Sequence, residues 1–182
     1  LAQCVAEVQN QVPDDTVILT DSGTFARWVH RYYRFNQPHT QAGPMSGAMG
    51  YATPGGIGAA LAKPNSPAVA FVGDGGFLMS GQELVTAVQH RLNLVCILCD
   101  NGAWGSIMVS QQRRYGEEGV HGTRLQSPDF AKVAEGYGMA SFTVSTTDEF
   151  APALAKALAA DGPALLHLQL DERDISPFTD EV

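Results

Sequence analysis

A doubly wound α/β domain, a parallel sheet with helices on both faces, is the fold class predicted by this sequence. Three observations carry that expectation. Short apolar runs of strand length alternate with helix-like segments from one end of the chain to the other, as successive βαβ units require. The runs TVILT, AVAFV and LVCILC are continuously apolar rather than alternating, the pattern of strands buried on both faces. No repeat, low-complexity tract or linker breaks the pattern, so residues 1–182 are expected to form one domain, long enough for a proper core.

The elements follow in order. Leu1 to Gln11 reads as a helix and Thr16–Thr20 as a short buried strand. Phe25–Tyr33 reads as a helix, followed by a loop rich in Pro, His and Gln, and a Gly-rich helix covers about Met49–Ala62. Next come strand Ala68–Val72, helix Phe77–His90 and strand Leu94–Cys99. The stretch from Asn101 to about Ser127 is polar and poorly periodic. Beyond it Pro128–Tyr137 is predicted helical, with Ser127 as N-cap and Pro128 at the first helical position, where its missing N–H does no harm. Strand Ala140–Val144, helix Asp148–Ala160 and strand Ala164–Leu170 complete the alternation, and the polar tail Asp174–Val182 is expected to fray or to fold over a site.

Composition narrows the function. The chain carries 11 basic and 19 acidic side chains, a formal charge of −8, and offers no basic stripe for nucleic acid. No apolar run approaches the roughly 20 residues of a spanning helix, and no signal-peptide pattern opens the sequence. It begins at Leu1 rather than Met, which suggests processing, trimming or a fragment. Cys96 and Cys99 form a C-x-x-C inside a strand, where alternation sends them to opposite faces, unsuited to zinc or a redox pair. With Cys4 they read as buried thiols of a reducing cytoplasm. Charged residues make up only 16% of the chain, against roughly 25% in an average domain, so either partners hide much of its surface or that surface is unusually bland.

In doubly wound sheets ligands collect at the carboxyl ends of the strands. There the sequence places Asp21-Ser22-Gly23-Thr24, Gly73-Asp74-Gly75-Gly76 and Asp100-Asn101-Gly102-Ala103. The glycines around Asp74 allow a tight turn with outward backbone N–H groups at a helix start, a phosphate cradle. Asp74 would repel a bare phosphate unless a divalent cation bridges the two, as Mg²⁺ does. A second oxygen ligand is expected from Asn101, 27 residues on, because one right-handed crossover sets both strand ends side by side. The turn at Asn101-Gly102 lets the Ala103 carbonyl face the same ion, giving an all-oxygen shell. Each motif alone would be loop punctuation; their pairing on successive strand ends favours a metal–diphosphate site.

The Gly73-Asp74-Gly75 and Asp100-Asn101 pair resembles the cofactor motif of thiamine-diphosphate enzymes. Within that superfamily the chain is similar, over nearly its whole length, to the C-terminal diphosphate-binding domain of the acetolactate synthase-like, or pyruvate oxidase-like, group. The likeness includes Asp21-Ser22-Gly23, Ser46-Gly47-Ala48-Met49-Gly50, Gly81-Gln82-Glu83-Leu84 and the closing strand from Pro163 to Leu170. It implies Mg²⁺ held by Asp74, Asn101 and the Ala103 carbonyl, and a diphosphate bound by Gly75 and Gly76 with Ser22, Gly23 and Thr24. Relatives carry a polar residue or His where Phe25 stands, so Thr24 is weighted above Phe25. Gly47 and Met49 would grip the aminopyrimidine, with the Met49 side chain wedged between the cofactor rings, and Trp104 lies beside the metal loop.

The chemistry implied is decarboxylation of a 2-keto acid by thiamine diphosphate and trapping of the product. A glutamate from a separate pyrimidine-binding domain is required, and neither that domain nor a central domain is recognisable here. The pyrimidine domain would be upstream in the same polypeptide or on a partner subunit, within a homo-oligomer, and would cover surface left poor in charge. The isolated chain is expected to bind cofactor weakly and to catalyse nothing. Ile107 stands where pyruvate decarboxylases place Glu, and Ser110 where acetolactate synthases place Trp, so the substrate stays open. Of the five histidines only His121, in the long loop, is a candidate acid–base group. Rival readings are a natural short subunit of a two-chain decarboxylase, a phosphate- or nucleotide-binding module, and a non-catalytic regulatory remnant. The nucleotide reading is weakened because no Gly-x-Gly-x-x-Gly follows the first strand.

Overall fold

Six parallel strands form the centre of the molecule, in the order β2-β1-β3-β4-β6-β5, in a computed structural model that describes residues 1–172 together with Ser176 and Pro177. The strands are β1 (Val17–Thr20), β2 (Gln41–Ala42), β3 (Ala68–Gly73), β4 (Leu94–Asp100), β5 (Ala140–Val144) and β6 (Ala164–Gln169). Apart from Ser176 and Pro177, the tail Asp174–Val182 lies outside the described residues.

Alternation along the central strands splits the core into two layers. On one face Val69, Phe71, Val95 and Ile97 pack against α1 (Ala2–Gln11), α2 (Ala26–Tyr32) and α8 (Thr147–Leu158). On the other, Ala70, Val72, Leu94 and Leu98 meet α3 (Ala52–Ala62), α4 (Asp74–Ser80), α5 (Leu84–Gln89) and α7 (Phe130–Tyr137). Both faces of β3 and β4 are therefore buried, which is why their sequences are continuously apolar. Cys96 and Cys99 fall on opposite faces, and burial pushes the Cys96 thiol up to about 12 and that of Cys99 higher still. Among the described residues, no helix is long and apolar enough to cross a membrane.

The two-residue edge strand β2 lies in the segment read as a loop, and four helices differ from expectation, each for a local reason. Helix α3 starts at Ala52 rather than Met49, because Gly50 sits at φ +80° and turns the chain out of helical geometry. The helix predicted over Phe77–His90 begins at Asp74 and is interrupted by a 3₁₀ turn at Gly81–Glu83. A Cβ at Gly81 would stand 2.6 Å from the Phe77 ring, so this tight approach needs glycine. Helix α6 (Gly105–Tyr115) occupies the segment read as aperiodic, since it buries Met108 and Val109 but leaves Ile107 and Tyr115 exposed, and so writes no apolar stripe. Helix α7 begins at Phe130, capped by Asp129, whose carboxylate accepts from the Lys132 amide at 3.2 Å; Ser127 is not its cap.

Candidate functional site

The chain leaves β1 in one direction along the sheet and returns to β3 on its other side, so the strand order reverses between them. A crevice opens at such a reversal, outside the carboxyl ends of the strands. Here it is a cleft of about 290 Å³. Its walls are Ser22, Gly23, Thr24 and Phe25 after β1, and Gly47 and Met49 before α3. The ends of β3 and β4 supply Asp74 with Gly75, and Asn101 with Ala103 and Trp104. Of the residues expected at the site, Gly76 alone is not on the wall.

Register explains the convergence. Gly73 lies opposite Cys99 and Asp100 opposite Gln169, so Asp74 and Asp100 emerge side by side as their strands end. Asp74 is only 4% exposed. Its carboxylate accepts from the Gly75 amide at 2.8 Å and the Ala103 amide at 3.2 Å, which ties the two strand ends together. The Gly75 N–H, expected to face a diphosphate, is thus turned onto the adjacent carboxylate. Burial, with Asp100 alongside, raises the Asp74 pKa well above the ordinary carboxylate range. Among the described residues, no Lys, Arg or His side chain lines the cleft to relieve that charge.

This donor set fits a hard divalent cation. Asp74 is a desolvated carboxylate, and among the described residues it has no cationic partner and nothing hydrogen-bonds the Asn101 side chain. The Ala103 carbonyl accepts one bond, from the Gly105 amide at 2.9 Å, and keeps a second lone pair. All three offer oxygen, as Mg²⁺ prefers. Among the described residues no cluster of three His, Cys, Asp or Glu could hold a metal, so a cation here would depend on the carboxylate, amide and carbonyl together.

The glycines are cut to the aromatic side chains of the cleft. A Cβ at Gly75 would collide with the Trp104 indole, and one at Gly73 would lie 2.9 Å from the Phe25 ring. Phe25, ranked below Thr24 from the sequence, shares the wall with it. Ile107 also reaches the cleft, whereas Ser110 turns back to donate to the Ser106 carbonyl. His121 does not line it; Gln111 holds the His121 backbone, donating to its carbonyl and accepting from its amide.

Two sets of anchoring contacts escaped the sequence reading, although it had placed Asp21 and Asp100 at the strand ends. Asp21, 2% exposed, accepts from the Gly50 amide at 2.7 Å and the Tyr51 amide at 2.8 Å, pinning the loop that carries Gly47 and Met49. A Cβ at Gly76 would collide with the Asp21 carboxylate, so Gly76 makes room for this anchor rather than facing the cleft. The second set lies beneath the Asn101 loop. There Asp100 accepts from Ser127 Oγ at 2.7 Å and the Gly102 amide at 3.0 Å, and pairs with His167 Nε2 at 2.8 Å. Burial raises the Asp100 pKa, but these hydrogen bonds outweigh it and hold the carboxyl below its usual value.

Known proteins resemble this chain in sequence and fold. The family described as "Thiamine pyrophosphate enzyme, C-terminal TPP binding domain" matches residues 21–168. The large subunit of acetolactate synthase isozyme 2 of Escherichia coli is 33% identical over 169 residues, covering 91% of this chain and 30% of the relative. The catabolic acetolactate synthase of Raoultella terrigena is 33% identical over 171 residues, again with 30% of its own length covered. A solved structure, the thiamine diphosphate-dependent 4-hydroxybenzoylformate decarboxylase of Rhodococcus jostii, superposes with a TM-score of 0.86 at 28% identity over 93% of this chain and 32% of its own. The chain thus spans about a third of the length of the proteins it matches. It belongs to the thiamine pyrophosphate enzymes, as a C-terminal thiamine pyrophosphate-binding domain of the acetolactate synthase-like kind.

Proposed function

We propose that this chain is the diphosphate- and Mg²⁺-binding half of a thiamine diphosphate-dependent 2-keto acid decarboxylase or carboligase. The observation that carries the reading is the meeting of Asp74, Asn101 and Ala103 in one cleft with the Gly47–Met49 loop. Asp74, the Asn101 amide oxygen and the Ala103 carbonyl would hold the cation. Ser22, Gly23, Thr24 and Gly75 would line the diphosphate, and Gly47 with Met49 would orient the aminopyrimidine. When bound, thiamine diphosphate supplies the carbon nucleophile and electron sink that decarboxylation of a 2-keto acid needs. The apolar side chains of Phe25, Trp104 and Ile107 would keep water from a bound cofactor once a partner covers the cleft, which would strengthen the charge interactions made inside it.

The proton chemistry of the aminopyrimidine would come from a glutamate on a pyrimidine-binding domain, in the same polypeptide or in a partner subunit. Exposed apolar side chains support such a partner: Met45 near the Gly47 loop, Met79 of α4 against Gly50, and Leu78 and Val85 on α4 and α5. A homo-oligomer and a cytoplasmic setting belong to the same reading.

A ligand panel separates it from a nucleotide-binding module. With saturating Mg²⁺, calorimetric titration of the chain is expected to give thiamine diphosphate binding at least about tenfold tighter than ADP or ATP, or about 1.4 kcal/mol. Equal or tighter nucleotide binding would overturn the reading.

A further inference from the structure

We infer that His167 is a positioning residue for the cation loop, acting through Asp100 with help from Ser127. The inference rests on the assignment of Asn101 and Ala103 as cation ligands, and it concerns what fixes their geometry.

His167 lies on β6, one strand away from the loop, and is 3% exposed. Its Nε2 faces Asp100 Oδ2 at 2.8 Å, and its ring meets Phe130 edge-on, with centroids 5.4 Å apart. Nδ1 is buried and has no partner among the described residues. An ionised carboxylate only accepts, so the hydrogen of this pair sits on Nε2. Asp100 Oδ1 takes the other two donors, Ser127 Oγ and the Gly102 amide.

The bond to Gly102 closes a turn over Asn101, in which Gly102 adopts φ +66°. Beyond that turn the chain is fastened from the far side, where the Leu125 amide donates to the Gly102 carbonyl at 2.7 Å and the Trp104 amide to Thr123 at 2.8 Å. Asn101 and Ala103 are thus held between a buried carboxylate below and a short antiparallel bridge above, Ala103 with Arg124. Without the histidine, Asp100 would be a half-buried carboxylate in contact with Asp74, its Oδ2 stripped of the His167 hydrogen and less firmly held to the turn. His167 commits it to the turn.

The connectivity excludes a nucleophilic triad. Ser127 and His167 both bond to Asp100, so the aspartate is central and no base contacts the hydroxyl. None of Asp100, Ser127 and His167 lines the cleft; the effect of the cluster is on the loop.

The test titrates Mg²⁺ into the full 182-residue chain at fixed thiamine diphosphate, with circular dichroism and thermal unfolding on every protein. His167→Phe keeps an aromatic ring of similar shape without the donor, and should weaken apparent Mg²⁺ affinity about 10- to 100-fold, the usual effect of losing an outer-sphere partner. His167→Gln places an amide N–H where Nε2 stood and should recover affinity to within about threefold of wild type. Ser127→Ala removes a half-buried hydroxyl, tests the same carboxylate should His167→Phe fail to fold, and should cost about 3- to 10-fold. Wild-type affinity in both His167→Phe and Ser127→Ala would overturn the inference. So would equal losses in the Phe and Gln variants that follow their loss of thermal stability, because that pattern marks a structural role. A wild-type chain that takes up no Mg²⁺ with thiamine diphosphate removes the cation site itself, a separate failure that takes this inference with it.

Discussion

Asp74→Asn is expected to weaken Mg²⁺-dependent thiamine diphosphate binding by at least about 100-fold, or about 2.8 kcal/mol, while the chain stays folded. The two effects separate because of how the native carboxylate is placed. Asp74 is buried, accepts from two backbone amides and meets the Asp100 carboxyl, and its pKa is raised. A carboxyl whose folded pKa exceeds its unfolded one subtracts stability once it ionises, above the unfolded pKa. Neutral Asn lifts that cost and retains an acceptor for one of the two amides, so the ligand-free chain should keep its unfolding temperature to within a few degrees. The cation is the group that would draw free energy from the ionised form, and only the bound state loses it. Calorimetric titration alongside a thermal melt checks both halves. An affinity within about threefold of wild type would remove Asp74 from the cation site.

Asp21→Ala should cost about 3 kcal/mol of stability, through two buried amides left without an acceptor and the void of the missing carboxylate. Hydrogen bonds to a charged group carry about 1.5–3 kcal/mol each, and the Gly50 and Tyr51 amides both end on this one. For a domain of this size such a loss lowers the unfolding midpoint by about 6–12 °C. The loss should also be local. Amide hydrogen exchange at Gly50 and Tyr51 should rise far more than at Val69 or Ile97 in the sheet, as the loop carrying Gly47 and Met49 comes free. A fall of under about 1 kcal/mol, with unchanged exchange at those two amides, would show that Asp21 does not anchor the loop.

The sequence disclosed what is periodic or contiguous, and hid what depends on distant pairing. β3 and β4 were legible because burial on both faces leaves an uninterrupted apolar run. Asp74 and Asn101 were legible because strand ends are where ligands gather and one crossover sets the two ends side by side. The anchoring contacts of Asp21 were not, since its partners stand 29 and 30 residues away and only the folded chain brings them to it. Asp100 and His167 are 67 residues apart and meet across adjacent strands, so knowing the pair requires the register. Ser127 shows how a local rule misleads. Ser before Pro at the start of an apolar pattern reads as a helix cap, but that hydroxyl goes to Asp100 and Asp129 caps the helix two residues later. Helix α6 was missed for the opposite reason, because a helix that buries only one narrow edge carries no stripe to detect.

Among the described residues the cleft carries one carboxyl, that of Asp74, and no cationic side chain, in a chain of net charge −8, so a diphosphate could bind there only with a cation to bridge the charges. Titrating thiamine diphosphate into the wild-type chain, once with Mg²⁺ and once with EDTA, tests this most directly. The expected result is saturable binding of one cofactor per chain with Mg²⁺ and at least about a 100-fold loss without it. Equal binding in EDTA, or no binding in either, would contradict it.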